Sequence, residues 1–424
     1  MEYPKVLVVG INPWIDNTGI NTLINFFDGW DKAKISHVYT RDGLPDTHIC
    51  DSFFRISEPM VLKSVLKRNI KTGEVVCNTP GAAKSEKSAI YTKKNSSLKQ
   101  LCRELVWWLG KWRTKELDNF LEQANTDVLF FPVYSNVYMC RLQNYIAKKT
   151  GKPIILYSSD DNYSYKCIEK TPFSLIHRFW LRRQEKKLFK RADRVMVISP
   201  KQKEEYDRLF DIDSVILTKG VDFSLYPFVA KEIGEPIKMV YTGKLIIGRW
   251  KSLAAIAEVL GDINKDSRKL ELDIYTTDVL TEEQDKLLNR NGALVKGALT
   301  LSEVQAVQKD ADILVFVESL EKKYRSAARL SFSTKITDYL KSGKCIFAIG
   351  GDDIAPIDYF KRYDSAVTAT SYDEIAEKLR GIMSNPGLIS EYAKKAYDCG
   401  KKNHEKIKTD EILRSTIKEV MKES

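Results

Sequence analysis

Short apolar runs alternate with helical patterns along the chain. Val6-Leu7-Val8-Val9-Gly10 is a continuous apolar stretch of strand length, and it predicts a buried parallel strand. Similar runs at 37–40, 128–132, 154–157 and 195–199 predict further strands. Amphipathic helices fall between them, the clearest over 17–27 and 136–149. Strands this uniformly apolar suit a parallel sheet covered on both faces. A run at 214–217 leads into Lys219-Gly220-Val221-Asp222, and the loose stretch from Phe228 to Pro236 reads as a linker. The pattern then restarts at Lys238 to Gly243, with strands at 272–275, 293–295, 313–317 and 345–349. Helices over 302–309 and 335–341 fill two of the gaps, and charged amphipathic helices run from about Tyr372 to Lys422. Two doubly wound α/β halves of about 200 residues each are the simplest arrangement.

Ligands of such sheets bind at the carboxyl ends of strands, in the crevice beside the turns that start helices. Four loops there could carry chemistry. Asn17-Thr18-Gly19 opens the first long helix, where Thr18 and Gly19 serve either as a plain cap or as an anion cradle. Thr242-Gly243-Lys244 ends the first strand of the second half, with Arg249 and Lys251 close behind. Three cations beside a glycine make either a diphosphate clamp or a solvated loop. Ser333-Thr334-Lys335 precedes a helix that carries Asp338 one turn in. Hydroxyls and a lysine converge there on an anion, with Asp338 placed for sugar hydroxyls; the alternative is a capped helix with a charged surface pair. Asp160 and Asp161 follow the fourth strand. Paired carboxylates hold a metal or do general-base or acceptor-binding work, or else form a turn.

Composition narrows the function classes. The chain has 424 residues, 68 Lys or Arg against 57 Asp or Glu, and a net charge of +11. That excess suits phosphate-bearing ligands, nucleic acid or an anionic membrane. Seven scattered cysteines without CxxC spacing and four histidines argue against a disulfide framework or a structural zinc site. No apolar run reaches the ~20 residues that cross a bilayer. The start leads into a strand without a signal-peptide pattern, so a cytoplasmic protein is expected. Two segments mix cations with aromatics. Residues 60–115 hold thirteen Lys or Arg, with Trp107, Trp108 and Trp112 on a helical pattern. Residues 170–191 hold eight, with Phe173, Ile176, Phe179 and Trp180. Such helices lie on anionic membranes; packing of the tryptophans in the core and nucleic-acid binding are the other readings. No recognised nucleic-acid motif accompanies the cations, which favours the membrane.

The ordered set of motifs resembles the bacterial retaining glycosyltransferases of the GT-B class, family-4 type, with the flavour of capsule and exopolysaccharide assembly. The carrying segments are Ala192-Asp193-Arg194-Val195-Met196-Val197-Ile198-Ser199, Lys219-Gly220-Val221-Asp222, Tyr241-Thr242-Gly243-Lys244-Leu245, Asp310-Ala311-Asp312-Ile313-Leu314 and 333–346. The resemblance implies two Rossmann-like doubly wound domains facing across a cleft: 1–218 for the acceptor, 219–400 for a nucleotide sugar, and a C-terminal helix over 401–424 that packs back on the first domain. It implies Lys244, Arg249 or Lys251, and Lys335 at the phosphates, with Gly243, Ser333 and Thr334 around them. Asp338 stands at the second carboxylate of the family's Glu-x7-Glu motif. The first falls at Leu330, so Glu318 or Glu321 is the substitute carboxylate for the donor sugar. Asp160 and Asp161 stand where many relatives carry an acceptor-side histidine. The implied activity is transfer of a sugar from a nucleotide-diphosphate donor to a saccharide or lipid-linked acceptor, with retention, without metal or cofactor, and with domain closure that excludes water. The expected setting is the inner face of the cytoplasmic membrane, without nucleic acid. A nucleotide-sugar epimerase on the same fold and a non-catalytic basic nucleic-acid or membrane-binding protein are the competing readings.

Overall fold

A computed structural model of the chain describes residues 3–16, 22–67, 70–79, 81, 97–168 and 170–423. It separates into two units. Unit 1 comprises 1–198, 202–218 and 409–424; unit 2 comprises 199–201 and 219–408.

Among the described residues the apolar runs of unit 1 form an eight-stranded sheet. Its strands are β1 (Val6–Gly10), β2 (Ile35–Tyr39), β3 (Ser52–Arg55), β4 (Glu74–Val76), β5 (Val128–Pro132), β6 (Ile154–Ser158), β7 (Arg194–Val197) and β8 (Val215–Ile216). They lie in the order β4-β3-β2-β1-β5-β6-β7-β8. Every neighbouring pair is parallel except β3 with β4. All residues of β1, β5 and β6 are buried, as strands covered on both faces must be. Each large apolar side chain buried there contributes roughly 1.5–3 kcal/mol. β3 and β4 have no counterpart in the sequence expectations. They are four and three residues long, too short to show a period.

Unit 2 is a six-stranded, wholly parallel sheet of β9 (Ile237–Thr242), β10 (Leu270–Tyr275), β11 (Ala293–Gly297), β12 (Ile313–Val317), β13 (Cys345–Ile349) and β14 (Val367–Ala369). The order is β11-β10-β9-β12-β13-β14. Counted within the unit this is 3-2-1-4-5-6, the doubly wound order, and it reverses between β9 and β12. β12 and β13 are buried throughout. Local chemistry sets the helix ends: Thr281 with Gln284 and Thr300 with Glu303 each make a reciprocal capping box.

Two buried polar groups tie the helices of unit 1 together. Glu104, on the Ser97–Leu109 helix, accepts the Val137 and Tyr138 N–H groups at 2.9 and 2.8 Å. It thereby satisfies free donors at the start of the Val137–Thr150 helix. His177, from the Pro172–Arg191 helix, reaches the same carboxylate at 3.2 Å.

Candidate functional site

In doubly wound sheets ligands bind at the carboxyl edge where the strand order reverses, here between β9 and β12. Thr242 ends β9 there and Gly243 follows it, and Glu318 follows β12. Lys335, the first residue of the Lys335–Lys341 helix, extends back across that edge. Its Nζ donates to the Thr242 carbonyl at 2.8 Å and lies 5.8 Å from the centre of the Tyr241 ring. A Cβ on residue 243 would stand 2.2 Å from that Nζ, and φ at Gly243 is +155°. The positive φ favours glycine here, and the absent side chain leaves the space in which the lysine ammonium sits. Burial first, and the Arg249 charge second, hold the Lys335 ammonium down to about 8 from its ordinary value.

Arg249 opens the Arg249–Ile263 helix and faces Glu318. Its Nε and Nη2 donate to the Glu318 carboxylate at 2.9 to 3.1 Å, a forked pair. Gly248, in the left-handed region at φ +74°, lets the chain turn into this helix; a Cβ there would meet Tyr324 and the Ser319 hydroxyl at 2.7 and 2.8 Å. The Tyr241 hydroxyl donates to the Lys244 carbonyl at 2.7 Å, and Asp278 accepts the Leu245 N–H at 2.6 Å. These bonds fix the turn that follows β9.

The structure brings together Gly243, Arg249, Glu318 and Lys335. Lys244 lies in the same turn, and its ammonium makes no hydrogen bond or ion pair among the described residues. Lys251 is turned elsewhere, onto Glu321 at 2.5 Å. The Ser333 hydroxyl accepts the Lys335 N–H at 3.4 Å, and Thr334 makes no side-chain cap of the helix. Asp338 pairs with Lys219 at 3.0 Å and with Lys341 at 3.3 Å. The Lys219-Gly220-Val221-Asp222 segment thus meets the Lys335–Lys341 helix, a contact that sequence spacing did not signal.

In unit 1 the two aspartates behave differently. Asp160 is exposed, and its carboxylate accepts the Ser159 hydroxyl at 3.3 Å. Asp161 is buried; its carboxylate accepts the Ser164 N–H at 2.9 Å and the Ser164 hydroxyl, the geometry of an aspartate turn. Thr18 and Gly19 lie outside the described residues. Trp107 and Trp112 are buried, which is the core packing weighed for them, while Trp108 is exposed. Among the described residues no cluster of three or more His, Cys, Asp or Glu is placed to hold a metal ion. Nor is any described helix long and apolar enough to cross a membrane.

No protein-family model matches the chain, and no curated protein matches it. Solved structures do. HepE from Anabaena, determined in complex with UDP, superposes with a TM-score of 0.61 at 12% identity, covering 98% of this chain and 100% of that one. Sucrose-phosphate synthase from Thermosynechococcus elongatus superposes with a TM-score of 0.64 at 9% identity, over 99% and 100%. The α,α-trehalose 6-phosphate synthase of Burkholderia multivorans gives 0.60 at 8% identity, over 99% of both chains. The chain has the GT-B fold of these glycosyltransferases, two domains each built on a parallel sheet.

Proposed function

We propose that the chain is a glycosyltransferase that takes a sugar from a nucleoside-diphosphate donor held by unit 2. The observation that carries this reading is Lys335, whose half-desolvated ammonium is seated against the end of β9 in space left by Gly243, with the Arg249 guanidinium nearby. Breaking the bond between an anomeric carbon and a diphosphate puts negative charge on the departing phosphate. Fixed cations in a partly buried site stabilise that charge where it grows. Lys335 and Lys244 would contact the phosphates, while Glu318 holds Arg249 in place beside them. Asp338 would reach the ribose hydroxyls, with Lys219 and Lys341 fixing its carboxylate. HepE was also solved with UDP-glucose, which makes a uridine nucleotide the first donor to test.

Retention at the anomeric carbon, family-4 kinship and a role in capsule or exopolysaccharide synthesis belong to the same reading, on the ordered motifs described above. So does independence of divalent metal, because lysine and arginine supply the positive charge. The acceptor would be a saccharide or a lipid-linked saccharide, met at unit 1 near Asp160.

That reading places unit 1 on an anionic membrane. Phe173, Leu175, Ile176, Phe179 and Trp180 of the Pro172–Arg191 helix are 41 to 50% exposed, and the helix carries Arg182, Arg183, Lys186 and Lys187. Leu98, Leu105, Trp108 and Leu109 of the adjoining Ser97–Leu109 helix are exposed as well. Apolar side chains left in water beside cations fit a headgroup interface.

The test is a thermal-shift screen of nucleotide sugars, followed by an assay of nucleoside diphosphate release in excess chelator. Release that depends on an acceptor is the expected result. Release without acceptor, or conversion of the donor to an epimer, would overturn transfer. Loss of activity that metal restores would overturn metal independence and turn attention to Asp160 and Asp161.

A further inference from the structure

Unit 1 contains a cavity of about 630 Å³ that the donor reading does not use. Three stretches line it: Lys71 before β4, the 110–114 connection after the Ser97–Leu109 helix, and Arg141 on the Val137–Thr150 helix. Its cations are Lys71, Lys111, Arg113 and Arg141, against the single acid Glu116. The indole of the buried Trp112 organises two of them. The Arg113 guanidinium lies 4.7 Å and the Arg141 guanidinium 5.8 Å from its ring centre. The Trp112 Nε1 is occupied, donating to the Trp107 carbonyl at 2.8 Å, so the ring cannot swing away. Neither arginine has an ion-pair partner among the described residues. Arg141 is half-buried; burial first and the Arg113 charge second lower its proton affinity. Two like charges are thus held at one ring, with the buried Glu104 carboxylate acting on Arg141 through charge but not as an ion-pair partner.

A guanidinium stacked on an aromatic face keeps its edge N–H groups free and in a fixed fork. Two guanidinium groups at one ring, both lining one cavity, offer forked donors that match the oxygens of a phosphate group. The exposed Trp108 at the rim adds an apolar surface on which a sugar ring or lipid headgroup can rest. We infer that this cavity is a binding site for a phosphate-bearing ligand, with Arg113 and Arg141 as the phosphate contacts and Trp108 as the wall. The same phosphate chemistry is presented by a soluble sugar phosphate and by a lipid headgroup. Trp108 belongs to both the cavity and the exposed face of its helix, which puts a headgroup within reach.

The experiment titrates inorganic pyrophosphate into the full chain and into Arg113→Gln, Arg141→Gln and Lys335→Gln, with UDP titrated alongside. Losing one charged hydrogen-bond donor weakens binding on the order of tenfold or more. Arg113→Gln and Arg141→Gln should lose one pyrophosphate event by that factor and keep UDP affinity, whereas Lys335→Gln should lose UDP affinity and keep that pyrophosphate event. Arg141→Lys, which keeps the charge without the fork, should give an intermediate affinity, and melting temperatures identify any variant that merely unfolds. A second arm uses phosphatidylglycerol and phosphatidylcholine vesicles. Vesicle binding that pyrophosphate competes away, and that Arg141→Gln weakens, supports a headgroup as the ligand; pyrophosphate binding without vesicle competition supports a soluble one. Pyrophosphate isotherms and vesicle binding unchanged in both glutamine variants would overturn the site. Failure of UDP to bind would count against the donor reading and leave this result intact.

Discussion

A methyl group on Gly243 would lie 2.2 Å from the Lys335 Nζ, so the ammonium of a lysine more than ninety residues later occupies the space that a side chain at residue 243 would fill. Gly243→Ala must push the ammonium off the Thr242 carbonyl. Donor affinity should fall roughly ten- to hundredfold, the range for one charged hydrogen bond. Gly151→Ala is the control. Its φ of +64° strains the backbone, but nothing lies within 4 Å of the new methyl. It should lower the melting temperature and leave donor affinity alone. Calorimetric titration of both variants with UDP checks the contrast.

Lys335→Ala and Asp338→Ala should separate kinetically. The charge met by Lys335 grows during transfer, so its loss should lower kcat by about 10- to 1000-fold. The ribose hydroxyls do not change, so Asp338→Ala should raise KM more than it lowers kcat. Asp338→Ala also leaves Lys219 and Lys341 without their carboxylate, and a lower melting temperature is expected with it. Wild-type kinetics in both variants would remove the Lys335 site from the reaction.

Lys335 predicts a pH dependence of definite sign. Its folded-state value is about 8 against an ordinary 10.5. Between these limits the unfolded chain binds the extra proton, so the contribution of Lys335 to stability rises with pH. Below about pH 8 both states are protonated and the burial penalty is present in full. Lys335→Met should flatten that segment of the stability curve, measured by urea unfolding from pH 7 to 10. Donor affinity should run the other way, falling above about pH 8 as the ammonium loses its proton, and Lys335→Arg should carry the fall to higher pH.

Glu318→Gln leaves Arg249 without its carboxylate. The two side chains are 22% and 11% exposed. Breaking such a pair should cost about 3 kcal/mol, the low end for buried pairs. Glu321→Gln, which breaks the more exposed contact with Lys251, should be neutral within error. Chemical unfolding of the two variants decides whether Glu318 is structural in this way.

The membrane reading rests on exposed residues of the Pro172–Arg191 helix. The chain should sediment with anionic but not with neutral vesicles, and salt should weaken it, since each Lys or Arg near the leaflet contributes about 1 kcal/mol and is screened. Phe179→Ser with Trp180→Ser should reduce binding and lower the melting temperature far less than a core substitution, the two residues being 50% and 41% exposed. Trp107→Ser should do the opposite, because that ring is 0% exposed and stacked on Tyr138 at 4.3 Å. Equal sedimentation with neutral vesicles would defeat the electrostatic argument.

What the sequence determined alone is whatever depends on neighbours along the chain. The run Ile313–Val317 and the run Cys345–Ile349 are apolar at every position, and both are strands with those bounds. The Lys335–Lys341 helix also begins and ends where its pattern does. Burial on both faces leaves no polar position in such strands, so their type is written locally. β3, β4 and β14 were not legible, because three or four residues carry no period and their pairing partners decide them. Of the candidate site, Gly243 and Arg249 in the loop after a strand and Lys335 at a helix start were legible as residue types, whereas Glu318 entered only, beside Glu321, as a carboxylate that the family resemblance implied. Their relations were not legible. That Arg249 turns to Glu318, that Lys251 turns to Glu321, and that Lys219 reaches Asp338 depend on side-chain directions set by the packing of elements 69, 70 and 119 residues apart. The same holds for the two arginines at Trp112, Arg113 beside it in the chain and Arg141 on the Val137–Thr150 helix. Spacing along a chain fixes which face of an element a residue shares. Only the parallel sheet, by laying distant strand ends side by side, decides which charges meet.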